Sequence, residues 1–283
     1  MEKKIVKDKY GAVWVSHSSI GDFLKCPRAY YLHNMHRTKD NRKISTVSPA
    51  LSLGTAVHET LEGLAKYKVE DRFTKSLLDT FEENWKKVSG KIGGFKTIKE
   101  EADAKERAKV MIERVVKNPG PLLNKTLKLK GEESETLPNF FLSEEENIIL
   151  CGKIDWLEYI EANDSVRVID FKTGKNEEGS DSLQLPIYVL LLNALQKRKV
   201  TGAAYWYLDH ADEPSSVTLP EVVASREKVL SIAKKIKLAR EVGRFECPRG
   251  IQGCFSCQPY EKIIEGKAEF VGIGGYNQEL YLI

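Results

Sequence analysis

Three ionisable residues in two short segments carry the strongest chemical signal in this 283-residue chain. They are Asp155, in Cys151-Gly152-Lys153-Ile154-Asp155, and Asp170 with Lys172, in Val168-Ile169-Asp170-Phe171-Lys172-Thr173-Gly174. Residues two apart on a strand share a face, so Asp170 and Lys172 point one way while Ile169 and Phe171 point the other. A turn centred between Ala162 and Asn163 places Asp155 opposite Asp170, and a slip to Asn163-Asp164 places it opposite Lys172. Either register gathers the three charges. Facing carboxylates repel and raise each other's pKa unless positive charge sits between them. Hard oxygen donors suit Mg2+ or Mn2+, with positions left for water and a phosphate oxygen. A neighbouring ammonium would hold the attacking water and neutralise developing charge. A lone Asp-x-Lys on a strand is usually an ordinary exposed ion pair. The second aspartate and the apolar neighbours on both sides count against that reading here.

Other residues are less telling singly. His58 lies in Leu53-Gly54-Thr55-Ala56-Val57-His58-Glu59-Thr60-Leu61, near the start of an expected helix, where a half-buried histidine is the ordinary case. Gln184 and Tyr188 are four apart and share one helical face, as a solvated amide and a packing tyrosine would. The five cysteines are Cys26, Cys151, Cys247, Cys254 and Cys257. Charges are spread through the first nine residues, with no apolar core of a signal peptide, so the expected location is cytoplasmic. An odd number of cysteines in a reducing compartment suits packing, metal or cluster ligation better than disulfides. Cys151, beside Gly152 in a strand, reads as core.

The elements that must position these groups follow from periodicity. From Val15 to Met35, Ser18 or Ser19 can cap a short helix that Pro27 interrupts. Between Leu53 and Lys117 the apolar spacing is helical (Val57, Leu61, Leu64; Leu77, Phe81, Trp85; Met111, Val115), which predicts two or three amphipathic helices. After Pro119-Gly120-Pro121 the period becomes two. Asn147 to Tyr159 and Ser165 to Thr173 read as strands joined by the turn Glu161-Ala162-Asn163-Asp164. A helix follows at about 183–197 with Asp181 or Ser182 as cap, then a strand over Thr201 to Asp209 and a basic helix from Ser225 to Val242. This order predicts an α/β or α+β fold, a mixed β-sheet flanked by helices.

Composition sets outer bounds. With 41% apolar and 30% charged residues the chain is an ordinary globular one, not disordered or collagenous. A net charge of +3 leaves no basic tail to announce nucleic acid. The longest charge-free apolar stretch, Ser182 to Gln196, is too short and too polar to span a membrane. The length suits one large domain or two small ones at about 150 residues each.

Taken in order, the segments Ser16-His17-Ser18-Ser19-Ile20-Gly21-Asp22-Phe23-Leu24-Lys25-Cys26-Pro27-Arg28-Ala29-Tyr30-Tyr31-Leu32, Gly54-Thr55-Ala56-Val57-His58-Glu59-Thr60-Leu61-Glu62, Gly152-Lys153-Ile154-Asp155, Val168-Ile169-Asp170-Phe171-Lys172 and Gln184-Leu185-Pro186-Ile187-Tyr188 resemble the PD-(D/E)XK nuclease superfamily. The resemblance is to its RecB-like branch, which includes CRISPR-associated RecB-like exonucleases. It implies a restriction-endonuclease-like central mixed sheet in one domain over 1–283, with a helical insertion at about 60–120, a nuclease core at about 145–210 and a basic helix and cysteine-bearing segment at about 225–283. It also implies His58, Asp155, Asp170 and the Phe171 carbonyl as ligands of Mg2+ or Mn2+, Lys172 as the catalytic lysine, and Gln184 and Tyr188 as supports of the site and the DNA. Many members of the branch hold a [4Fe-4S] cluster with one cysteine before the Pro-Arg segment and three near the C-terminus. Cys26, Cys254 and Cys257 match. The usual last cysteine falls where this chain has Ile263, and Cys247 is left as the substitute, with four-thiolate Zn2+ as the alternative filling.

The expected activity is hydrolysis of DNA phosphodiester bonds by an exonuclease or end-processing enzyme. A non-catalytic DNA-binding module of the same fold and an RNA-directed nuclease are the alternatives. Arg28 and the helix carrying Lys234, Lys235 and Lys237 are candidate phosphate contacts, although a lysine-rich helix is more often a solvated face. Tyr30, Tyr31, Tyr205, Trp206 and Tyr207 could stack unpaired bases, yet strand aromatics are more often core. No Gly-x-x-x-x-Gly-Lys-Ser/Thr loop is present, so unwinding would fall to a helicase, recombination or CRISPR-adaptation partner; no membrane is implied.

Overall fold

The computed structural model describes residues 9–130 and 137–283. The charged N-terminal run lies mostly in residues 1–8, outside the described residues. In chain order the regular elements are β1 (Val13–Val15), α1 (His17–Lys25), α2 (Pro27–Tyr30), β2 (Lys43–Thr46), α3 (Pro49–Glu62), α4 (Leu77–Lys86), α5 (Ile98–Lys117), β3 (Asn139–Ser143), β4 (Ile148–Cys151), β5 (Trp156–Ile160), β6 (Ser165–Lys172), α6 (Gln184–Leu195), β7 (Lys199–Tyr207), β8 (Ser215–Val217), α7 (Val222–Val242), α8 (Gln258–Ile264), β9 (Glu269–Ile273) and β10 (Gln278–Leu282).

The central sheet runs β5-β6-β7-β8. Its outer pairs are antiparallel and β6 lies parallel to β7, so it is mixed, as expected. Parallel pairing requires a crossover, and α6 supplies it. Trp156 pairs with Ile169, a register that continues to Asp155 opposite Asp170, the first of the two expected turn centres.

Alternation along the strands sorts the side chains into two cores. On one face Val166, Val168, Ala203, Tyr205 and Tyr207 pack with α6 and α7. On the other, Ile169, Phe171, Ala204 and Trp206 pack with α3, α4 and α5 through Leu61, Phe81, Trp85 and Met111. Each fully buried side chain of this size contributes about 2 kcal/mol of transfer free energy, so both faces are firmly held. Helix α6, apolar on nearly every side, is enclosed between the sheets and α7.

Several elements differ from the sequence reading. The run expected as one strand from Asn147 is two. Strand β4 leaves for a second sheet, β1-β4-β3, and the chain crosses at Gly152 before β5 begins. A Cβ on Gly152 would stand 2.9 Å from Leu191 Cδ1, so the crossing segment passes hard against α6. The cap of α1 is Ser16, in a reciprocal capping box with Ser19, rather than Ser18 or Ser19. Helix α6 starts after Leu183 without a side-chain cap, and the Gln184 N–H donates to Ser182 Oγ at 3.2 Å. Helix α7 starts at Val222, leaving Ser225 buried inside it. Helix α3 starts at Pro49 behind the Ser48 cap, so His58 lies in its C-terminal half, not near its start. A third sheet, β2-β10-β9, had no pattern to reveal it, because its strands are short and half-exposed.

The start of α3 is pinned by a glycine pair. The Ser52 hydroxyl donates to the Gly93 carbonyl at 2.8 Å in a buried contact. Gly94 has φ +85°, and a Cβ there would meet Ser48 Cα at 2.6 Å and its N at 2.7 Å. Gly94→Ala therefore combines a left-handed backbone with a clash against the cap residue, and destabilises by roughly 2 kcal/mol or more in urea denaturation. A variant as stable as wild type would show that α3 is not anchored at this point.

Candidate active site and thiol cluster

Strand β6 ends with Asp170 and Lys172 on the face that α6 covers, and α6 opens with Gln184 and Tyr188 one turn apart, aimed at them. Asp170 is 1% exposed. Its Oδ1 accepts from Gln184 Nε2 at 2.7 Å and from the Tyr188 hydroxyl at 2.9 Å. Its Oδ2 is paired with Lys172 Nζ at 2.8 Å. Burial first, and the Asp155 carboxylate second, push the Asp170 pKa upward against the pull of Lys172.

Asp155 stands just before β5, where its Oδ2 accepts the Phe171 N–H at 2.9 Å. That bond ties the aspartate to the end of β6. His58 Nδ1 lies 3.4 Å from the same Oδ2 and 3.1 Å from Glu62 Oε1. The imidazole edge rests on the Phe171 ring at 6.1 Å between centroids. One donor atom each from His58, Glu62 and Asp155 falls within 4.8 Å of the others; Asp170 is not in that group but lies deeper, beside it. Burial works against a charged His58, yet hydrogen bonds with Asp155 and Glu62 outweigh it and lift its pKa to about 10. One imidazole and two carboxylates within 4.8 Å of one another are a donor set that suits a divalent cation.

Lys172 is ringed by acceptors. Besides Asp170 it contacts Glu178 Oε2 at 3.0 Å and Gln184 Oε1, and its ammonium lies 5.0 Å from the centroid of the Tyr205 ring. Burial would lower its pKa, but Asp170 and Glu178 outweigh burial and raise it, so the group is an ammonium. Glu178 and Glu62 are the two site residues that sequence reasoning missed. Glu62 was legible, four residues beyond His58 on one helical face. Glu178 lies in the loop before α6, where periodicity carries no signal.

A cleft of about 600 Å³ opens beside Asp155, lined by Glu62, Lys66, Lys87, Lys128, Lys153 and Tyr276. Another of about 530 Å³ lies at the C-terminal end of α6, around Asn193 and Lys197, and touches none of the site residues. Only the first gives the carboxylates access to a polyanion.

Of the residues named for DNA contact, Gln184 and Tyr188 lie in this centre, and Arg28, Lys234 and Lys237 make other contacts. Lys234 and Lys237 hold the two oxygens of Glu146 at 2.8 and 2.9 Å and pull its pKa down to about 2. Glu146 sits in the turn that opens β4, whereas Asp155 follows the far end of that strand. Lys235 is exposed. Arg28 donates to Glu261 at 2.8 Å and to the Ile251 carbonyl at 3.3 Å. Tyr30, Tyr205, Trp206 and Tyr207 are buried and belong to the cores, and Tyr31 stacks on Phe245.

Away from the cleft, Cys26, Cys247, Cys254 and Cys257 converge with all four Sγ atoms within 4.8 Å of one another. Cys26 sits at the junction of α1 and α2, Cys257 caps α8, and Ala29, Leu32 and Tyr260 wall the group. Cys151 is separate: its thiol faces the Val15 carbonyl at 3.5 Å and burial raises its pKa to about 11.

Comparison with curated protein sequences gives no match. The family model of the PD-(D/E)XK nuclease superfamily matches residues 14–262 of the 283, a span that contains every residue of the two clusters. The match takes in both the buried acid-and-lysine centre and the cysteines, so this chain belongs to the PD-(D/E)XK nuclease superfamily.

Proposed function

We propose that the chain is a metal-dependent deoxyribonuclease acting at DNA ends, with Mg2+ or Mn2+ held by His58, Asp155, Asp170 and the Phe171 carbonyl, and with Glu62 as a further ligand. The observation that carries this reading is the buried Asp170 carboxylate, paired with the Lys172 ammonium on the same strand face and next to the converging donors of His58, Glu62 and Asp155. A divalent cation in this place supplies Lewis-acid polarisation of the phosphoryl oxygen and acidifies a water.

The remaining work falls to side chains of the chain itself. Gln184 and Tyr188 hold Asp170 Oδ1 from two sides, which fixes the direction of Oδ2. Lys172, kept protonated by Asp170 and Glu178, donates to the attacking water and offsets charge growing on the phosphoryl group. The lysines along the 600 Å³ cleft favour the sugar–phosphate backbone without reading sequence. The five-segment RecB-like resemblance supports DNA over RNA and an end-processing role over cutting at a fixed sequence.

Labelled single-stranded DNA, duplex DNA and RNA, incubated with Mg2+, Mn2+ or EDTA, test the reading. Wild-type protein degrades DNA with either cation and not in EDTA. Asp170→Ala and Lys172→Ala each lower turnover on the order of 100-fold or more. Undiminished degradation by Asp170→Ala would reject the site, and preferential loss of the RNA would reassign the substrate. Glu62→Gln raises the Mn2+ concentration needed for half-maximal rate by roughly 10- to 100-fold while leaving the rate at saturating Mn2+ near wild type. An unchanged Mn2+ requirement removes Glu62 from the ligand set.

A further inference from the structure

The four-cysteine group lies outside the nuclease centre, and its spacing discriminates between the fillings that four thiolates accept. In a four-iron cluster each thiolate binds a different corner of a cube, which holds the sulfurs roughly 6 Å apart. Around one tetrahedral zinc ion, with bonds of about 2.3 Å, the sulfurs are about 3.8 Å apart. Here the Sγ atoms of Cys254 and Cys257 are 3.9 Å apart, and all four lie within 4.8 Å of one another. The enclosure is too tight for a cube and suits a single ion.

The surroundings point the same way. Cys254-Phe255-Ser256-Cys257 has the two-residue spacing of a zinc knuckle, and its backbone turns back so that the Cys254 N–H donates to Cys257 Sγ at 3.1 Å. The Arg249 N–H donates to Cys247 Sγ at 3.4 Å. Such N–H···S bonds hold thiolates in place around a metal. Gly253 has φ +73°, and a Cβ there would lie 3.1 Å from Cys257 Sγ, so only glycine allows the loop to close onto that sulfur. Arg28, two residues after Cys26, is paired with Glu261 at 2.8 Å. Three of the four cysteines are buried, and the group joins the α1–α2 junction to the segment after α7, segments more than two hundred residues apart in sequence.

We propose that Cys26, Cys247, Cys254 and Cys257 bind one structural zinc ion, in place of the four-iron cluster that the RecB-like resemblance implies. The ion ties the N-terminal helices to the C-terminal segment, and this does not depend on the nuclease reading.

Metal analysis of protein produced and purified without oxygen, in medium containing both iron and zinc, tests the assignment. The expected result is about one zinc per chain, no acid-labile sulfide and a colourless sample. Cys254→Ser and Cys257→Ser lose that zinc, whereas His58→Ala keeps it, which separates this ion from any held at the nuclease centre. If the serine variants fail to fold, cobalt substitution of the wild-type protein supplies the second readout, a tetrahedral cobalt–thiolate absorption spectrum. About four irons and four sulfides per chain would overturn the proposal. So would a metal-free protein whose four thiols react freely and whose melting temperature is unmoved by zinc or chelator.

Discussion

The structure turns on one electrostatic constraint, a carboxylate held away from water beside a second carboxylate. Asp170 is almost fully enclosed, and Asp155 stands opposite it in register. An isolated charge in such surroundings is strongly disfavoured and survives only with compensating charge and hydrogen bonds. Lys172, the Gln184 amide and the Tyr188 hydroxyl provide part of this compensation. The rest is drawn from the open side, where His58 and Lys153 already crowd toward Glu62 and Asp155. A centre so rich in carboxylates is a standing demand for a cation, and the cleft is where one would enter.

Each large element of the fold serves that arrangement. Helix α6 covers Asp170 and presents Gln184 and Tyr188 from its first two turns. Because its other sides are apolar, burying it between the sheets and α7 fixes its rotation, and with it the aim of both polar groups. Helix α3 approaches from the opposite face of the sheet and brings His58 and Glu62 to the strand end. The cap at Ser48 and the close approach of Gly93-Gly94 set how far along its axis α3 reaches.

Much of this was legible in the sequence. Asp155, Asp170 and Lys172 stood out because period two and a short turn bring them together under any plausible pairing. Gln184 and Tyr188 were legible as one helical face. What remained hidden depended on contacts between distant segments. The break at Gly152 is invisible in a pattern that stays apolar throughout, since β4 leaves only because β1 and β3 offer it partners. Glu178 sits in a loop whose path is set by Lys172 and by the Tyr207 hydroxyl, which accepts its N–H at 2.9 Å. A helix shows its charges and not its partners, so the sequence could not reveal that Lys234 and Lys237 hold Glu146, some ninety residues away. The cysteines posed a subtler problem. Their number and order suggested ligation, but only the spacing of the sulfurs in space separates one ion from a cube.

The most direct test of the central claim is a crystal of the wild-type protein soaked in Mn2+, with anomalous scattering recorded to locate the ion. The account predicts a peak bounded by His58, Glu62 and Asp155 and facing Asp170 Oδ2. A Mn2+ peak that avoids these four side chains, or their persistence in the same contacts with no ion among them at saturating Mn2+, would contradict it.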